Sequence, residues 1–587
     1  MEIKRVYLRI YTERKKDVKD RVKLTDEKEF IDKLSKILSE TPDDTDKEDI
    51  DPPRRTRKIM NKKRSYPSTH ITRVKQSSSV IRPFLVADTE TILVDDVHYP
   101  YAAGLLKVMP GDDISSKLLY SIDTYFSEDY SIILDSFEER SRKVLFDLIE
   151  RIYRIVEKDK NNYTIYFHNF SRFDGIFLLK HIACHHKEFK IKPTMRNGLL
   201  YELVVYRGRK VLFRFRDSFL LLPSKLEDLA INLCPELGTK GNVEHSEVRL
   251  CNLKSKKKEL LDYMKQDILL LGGIMRKAQE ICWNDYKVDI ESKITLPSLA
   301  LYIFRKNFYD PKTCPIHIPS QSEDTFIRRG YYGGHSDVYK PAGKNLYYYD
   351  VNSLYPFIMK TYPMPIGKPK CEEFKFAIDH GYKVTPLSGY LFEKKEYPFV
   401  SFVSSLFESR LKAKKSKNDA LSFIYKILMN SLYGRFGINP ESTVTDVCTQ
   451  DKYHNYIRNT KWIFAEKLSD KYYVVSYLSG TESDHWNPPR NSAVQIAAAI
   501  TACARIHMYP YIKREDCYYT DTDSVVLGQP LPEEWISSSV LGKFKLEDRI
   551  LKGHRKDLFK KETMAGREGC GQRHDQRKLE IQERGFK

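Results

Sequence analysis

Carboxylates that interrupt apolar runs are the first residues in this sequence able to do chemistry. In YYTDTDSVVL, Asp521 and Asp523 stand between Tyr518, Tyr519 and the run Val525–Leu527, so the local reading is strand, tight turn, strand. Two carboxylates this close repel, and in an apolar setting they take up a proton or recruit a cation. An Asx-turn in an exposed hairpin is the alternative. FLVADTETILV carries Asp88 and Glu90 two apart, on one face of a strand. IYFHNFSRFDGIFLLK ends a strand at Asp174, just ahead of an apolar helical run, and LLDYMKQDILLL sets Tyr263 and Asp267 four apart on one helix face. Singly, each acid reads as a cap, a turn or an exposed helix residue. Together, four carboxylates on a strand, a strand end and a helix suit two divalent cations about 4 Å apart, activating water and clamping a phosphate.

A further acid, Asp350, ends the aromatic strand of YYYDVNSLYPFIM, and the turn after it is expected to expose Ser353, Leu354 and Tyr355. KILMNSLYGRFG spaces Lys426, Asn430 and Tyr433 along one helical face. A cation at the start of such a face can meet a triphosphate while an aromatic further on packs against a base. In RRGYYGGHSDVYKP, Gly333 and Gly334 after Tyr331 would let backbone approach a nucleic-acid strand, with Arg328 and Arg329 on its phosphates. A glycine hairpin loop is the competing account.

These residues need elements to hold them. From 81 to about 280 short apolar strands alternate with helical patterns, as in an α/β domain. From about 290 to 550 aromatic strands mix with long helices near 401–435 and 491–509. Residues 1–80 are polar and charged, DTDKEDIDPPRRTRKIMNKKR reading as a linker, although the opening MEIKRVYLRIYTERKKD alternates like a strand and resembles no targeting signal. Residues 551–587 are basic and nearly free of apolar periodicity, so a disordered tail is expected.

Lys and Arg exceed Asp and Glu by 99 to 80, a formal charge of +19, which favours a polyanionic partner. The 39 Tyr and 29 Phe lean towards nucleic acid, whose bases stack on aromatic rings. Ten cysteines without a C-x-x-C pair argue against a zinc ribbon or a disulfide framework. No apolar run reaches the length of a membrane span.

The order D-x-E, N-x-x-x-F-D, Y-x-x-x-D resembles the exonuclease motifs of family B DNA polymerases, and D-x-x-S-L-Y-P, K-x-x-x-N-S-x-Y-G and Y-x-D-T-D-S resemble their polymerase motifs A, B and C. With Y-x-G-G between the two sets, the sequence is similar to the protein-primed branch found on linear mitochondrial plasmids. The resemblance implies a multidomain α/β and α+β protein. An RNase H-like 3′–5′ exonuclease domain over 81–285 is followed by palm and fingers of the right-hand type over 286–550. It implies that Asp88, Glu90, Asp174 and Asp267 hold metal, that Tyr263 orients water, and that Asn169 and Phe173 contact a frayed 3′ end. Ser218 in DSFLLL would bind single strand, and Lys240 matches a catalytic-region lysine. In the second site Asp350 and Asp521 would bind two Mg2+ ions, for which Mn2+ can substitute, and Asp523 would complete the cluster. Ser353, Leu354, Tyr355, Lys426, Asn430 and Tyr433 would bind the nucleotide, and Tyr331, Gly333 and Gly334 the template.

The implied partners are a DNA primer–template, deoxynucleoside triphosphates and a terminal priming protein. A monomer in the mitochondrion, with no membrane contact, is expected. The sequence departs from the family in two places: only 76 positions separate Asp350 from Lys426, and LGKFKLED is not followed by the K-x-Y motif and thumb. These departures support a second reading, a relic that binds DNA or retains only exonuclease activity.

Overall fold

The computed structural model describes residues 5–8, 69–75, 80–95, 97–115, 121–186, 188–196, 198–244, 247–367, 389–392, 395–438, 443–478 and 491–554. The first sheet is built of β1 (Phe84–Val94), β2 (Val97–Val108), β3 (Asp123–Phe126), β4 (Tyr163–Phe167), β5 (Lys190–Arg196), β6 (Leu199–Arg207) and β7 (Lys210–Asp217). Their order is β3-β2-β1-β4-β7-β6-β5. β4 runs parallel to both β1 and β7, and the other pairs are antiparallel. Along β1, Phe84 and Val86 enter one core while Leu85 and Ala87 enter another. A strand covered on both faces reads as a continuous apolar run, which accounts for FLVA ahead of Asp88.

Helices α1 (Phe137–Asp159) and α2 (Asp174–His185) cover the odd-numbered face of β1. α3 (Leu226–Leu233) and the 34-residue α4 (Leu253–Tyr286) cover the even-numbered one. Gly104 of β2, the register partner of Asp88, lets α4 lean in: a Cβ there would stand 2.5 Å from Ile268 Cδ1. That close approach sets how near the helix bearing Asp267 comes to Asp88.

Next come α5 (Leu296–Ile303), with Pro297 in its first turn, and α6 (Gln321–Arg329), opened by a capping box between Ser320 and Glu323. The chain then forms β8 (Ser336–Val338), β9 (Ala342–Val351), α7 (Leu354–Thr361), α8 (Val400–Lys415) and α9 (Asp419–Phe436). α9 starts where the Asn418 side chain accepts from Leu421 N. A three-stranded sheet follows, from β10 (Thr443–Thr449), α10 (Gln450–Asn459), β11 (Trp462–Lys467) and β12 (Tyr472–Leu478), with β12 central. Its Leu468 and Val474 are buried in the core between α1, α2 and the first sheet. After α11 (Val494–Ile512), β13 (Cys517–Asp521), β14 (Ser524–Leu527) and β15 (Phe544–His554) complete a five-stranded sheet of order β15-β9-β14-β13-β8.

The strand-turn-strand expected at 518–527 is observed, with Thr522 at φ 53 in the bend. The helices expected near 401–435 and 491–509 are α8, α9 and α11. Two readings need correction. Within the expected linker, Ile71 is fully buried and its N–H donates to the Ile316 carbonyl at 2.8 Å; one apolar residue among polar neighbours leaves no periodic signal. Within the expected tail, β15 continues to His554 against Ala342, because main-chain pairing needs no apolar pattern. The alternating start is a strand, Arg5–Leu8, paired with Gly389–Phe392. The short stretch behind the 76-residue spacing lies largely at 368–388, and the rest of the tail at 555–587; both are outside the described residues.

Candidate active sites

Asp88 and Glu90 leave the even-numbered face of β1, and Asp267 comes down on that face from α4. Ligand oxygens of these three lie within 4.8 Å of one another. Asp174 comes from the opposite face, as the first residue of α2, and accepts a hydrogen bond from Thr89 Oγ1. This explains why the fourth acid stands apart from the close trio. Burial, then the charges of Glu90, Asp174 and Asp267, push Asp88 well above the usual carboxylate range. Burial and Asp267 push Glu90 up to about 8. Burial pushes Asp174 up to about 7 against the Thr89 bond.

Lys240 is brought into this group, its Nζ 2.8 Å from Asp267 Oδ2 and 5.3 Å from the centre of the Tyr263 ring. Burial opposes the Lys240 ammonium, but the Asp267 charge and hydrogen bond prevail and hold it above the usual lysine range. Clustered hard oxygen donors that cannot all ionise without a compensating charge fit Mg2+ or Mn2+. Asn169 is exposed in a left-handed conformation at φ 70, and the Phe173 ring packs edge-on to His98 and Phe177. Ser218 is buried: its hydroxyl donates to the Phe167 carbonyl at 3.1 Å and lies 2.9 Å from His168 Nδ1. The neighbours Phe219 and Leu220, not the Ser218 hydroxyl, line the adjoining cavity.

In the second sheet, Asp350 of β9 and Asp521 of β13 both stand opposite Ser524, with Asp523 in the bend between the strands. The Val351 N–H donates to the Asp523 carbonyl at 2.8 Å, which ties the bend to β9. Burial, then Asp523 and Glu547, push Asp350 up to about 8 against Lys545 and Lys426. Burial and Asp521 push Asp523 up to about 6. Burial also raises Asp521, against hydrogen bonds from Thr522 and Ser336. Asp523 is thus the largest charge acting on Asp350, and Asp521 the largest acting on Asp523, so the three acids form one cluster across β9, the bend and β13. Thr522 is left-handed in this bend, the Asp523 carbonyl meets Val351 N of β9, and Asp521 is also the register partner of Ser336 of β8.

Lys426, Asn430 and Tyr433 share the wall of a cavity of about 1030 Å³ with Ser353, Tyr355 and Asp523. The rings of Tyr355 and Tyr433 lie 4.2 Å apart. Leu354, expected to be exposed, is 1% exposed and packs in the core, because α7 begins there and turns it inward. The Tyr331–Gly334 loop is fastened to the Asp521–Ser524 bend. The Thr522 N–H donates to the His335 carbonyl at 2.8 Å, a Cβ on Gly334 would overlap Thr522 Oγ1, and Arg505 Nη1 donates to the carbonyls of Tyr332 and Gly333. Gly334 thus serves a protein contact. Arg328, expected on phosphates, is spent on Asp324 and on the Gly437 and Ile438 carbonyls that end α9. Thr89, Glu547 and Asp217 were not singled out from sequence; Asp217, a carboxylate ending an apolar strand beside Ser218, carried the same signal as Asp350.

Residues 155–258, 250–375 and 370–517 match the family model of DNA polymerase type B, organellar and viral. With more than half of its residues covered, the chain belongs to that family. It is 27% identical over 500 residues to a "Probable DNA polymerase" of Neurospora intermedia, covering 67% of this chain and 50% of the relative. It is 28% identical over 538 residues to one of Agaricus bitorquis, covering 72% and 66%. The chain thus spans about half to two thirds of the length of these relatives. In fold it is similar to phi29 DNA polymerase complexed with primer-template DNA and incoming nucleotide substrates, with TM-score 0.60 and 17% identity over 80% of this chain and 86% of that one. No helix among the described residues is long and apolar enough to cross a membrane.

Proposed function

We propose that this chain is a protein-primed, DNA-directed DNA polymerase that adds deoxynucleoside monophosphates to a 3′-hydroxyl, with a 3′–5′ exonuclease at the Asp88 site. The observation that carries the reading is the placing of Asp523, in the bend tied to the Asp350 strand through Val351 N, on the wall of a cavity also lined by Lys426, Asn430 and Tyr433 of α9. Lys426 meets the triphosphate, and Tyr433 packs on the incoming base. Tyr355, braced against Tyr433, closes the space a ribose 2′-hydroxyl would need. At the other site Lys240 and Tyr263 flank Asp267 and orient water and phosphate, while Asn169 and Phe173 hold the frayed end. Divalent cations, Mg2+ or Mn2+, held by Asp88, Glu90, Asp174 and Asp267 and by Asp350 with Asp523 and Asp521, would supply Lewis acidity for the attacking oxygen and the leaving group.

We read 81–285 as an RNase H-like exonuclease domain and 286–550 as palm and fingers. The chain copies a linear DNA element in the mitochondrion as a monomer, with a terminal protein as primer; the organellar and viral character of the family supports the organellar setting. A labelled primer–template incubated with Mg2+, with and without deoxynucleotides, tests the proposal. Extension abolished by Asp523→Ala is the expected result. Shortening alone, abolished by Asp88→Ala, would replace it with the exonuclease-only reading.

A further inference from the structure

Asp217 ends β7 with 0% exposure, and four donors occupy its carboxylate. Oδ1 accepts from the N–H groups of Asn169 and Phe219, each at 2.9 Å. Oδ2 accepts from Ser171 N at 3.0 Å and from Ser171 Oγ at 2.5 Å. With its acceptor positions occupied in this way, the group has little left to offer a cation or a substrate. The donors belong to two segments far apart in sequence: the loop after β4 and the turn after β7. A buried anion that collects converging backbone N–H groups fixes both segments at one separation.

What the two segments present is informative. The first holds Asn169 exposed and left-handed, and it runs directly into Phe173 and Asp174. The second presents Phe219 and Leu220 to the cavity, with the Phe219 ring 5.7 Å from His168. We propose that Asp217 is a positioning residue that locks the Asn169 loop and the Ser218–Leu220 turn into one rigid cradle for an unpaired DNA strand. The inference rests on the exonuclease reading above and adds to it the residue that sets strand affinity. Asp217 touches no reacting atom; it acts through three main-chain amides and the Ser171 hydroxyl, so its loss falls chiefly on binding, with the removal of its charge from near Asp174 a smaller effect on the chemical step.

The test uses the full chain with a 5′-fluorescent single-stranded oligonucleotide: anisotropy in EDTA for Kd, and shortening in Mg2+ for KM and kcat. Asp217→Asn keeps the volume but aims an NH2 group at donors. It is expected to raise Kd and KM about tenfold while kcat stays within about twofold. Ser171→Ala removes one bond and keeps the carboxylate; an increase of about threefold with an unchanged unfolding midpoint is expected. It decides the matter if Asp217→Asn fails to fold. Unchanged affinity in both variants, or a fall in kcat at constant Kd, overturns the proposal. A parent chain that binds the strand but never shortens it removes the exonuclease reading, and the affinity arm still decides the role of Asp217.

Discussion

Replacing Glu90 by Gln removes one of the ionisable groups crowded on β1, whose ionisation burial opposes. Burial, then the Asp267 charge, push Glu90 up to about 8 in the fold from an ordinary 4.5. Between those values the folded chain keeps a proton that the unfolded chain releases, so stability falls as pH rises by about 1.4 kcal/mol per unit. The loss reaches about 4 kcal/mol near pH 8, an upper bound because Asp88, Asp174 and Asp267 share the titration. Below about pH 4.5 both states hold the proton and the cost disappears. Calorimetric unfolding of the full chain in EDTA should therefore find Glu90→Gln more stable than the parent near pH 8, with the advantage nearly gone near pH 5. Adding Mg2+ should stabilise the parent more than the variant, since the parent has the charge to compensate. A variant that unfolds at or below the parent temperature at pH 8 in EDTA, or a gap equal at both pH values, would refute the reasoning.

Three further outcomes follow from the second site. Asp523→Asn should lower primer extension about a hundredfold or more, and Asp521→Asn should cost less; rates of nucleotide addition decide, and the reverse ranking would make Asp521 the more important partner of Asp350. Tyr355→Val should raise ribonucleotide incorporation about tenfold or more, measured as the ratio of kcat/KM for the two nucleotide types. Gly334→Ala should cost about 1–3 kcal/mol by overpacking against Thr522 and lower extension, while shortening of a single strand persists; full extension would show that the bend tolerates displacement.

Much of this was legible because period-two and period-3.6 spacing survive folding directly. Asp88 and Glu90 share a face, as their separation required, and Tyr263 and Asp267 share α4. The Asp521–Ser524 bend falls where β-formers flank two acids. Other features were hidden because they depend on a single backbone torsion or on long-range contacts. The left-handed turn at Thr522 shapes the bend that holds Asp523, and a local pattern does not report the sign of that torsion. Ser218 and Leu354 turn inward because of what packs behind them, which spacing does not encode. Lys240 was singled out by a short match only; its place beside Asp267 depends on the 238–241 loop folding back over α4, where Gln266 donates to the Leu237 carbonyl at 2.9 Å.

The small sheet formed by β10, β11 and β12 bears on modularity. It lies between Asn430 and Asp521 in the chain, yet its Leu468 and Val474 belong to the core of the first sheet, with Val447, Phe464 and Tyr472 against it. A cut at residue 285 would therefore not release a self-sufficient half. The excised piece would expose the apolar ground those side chains cover and would tend to aggregate. Grafting experiments between relatives should move 443–478 together with 81–285, as one unit written in two instalments.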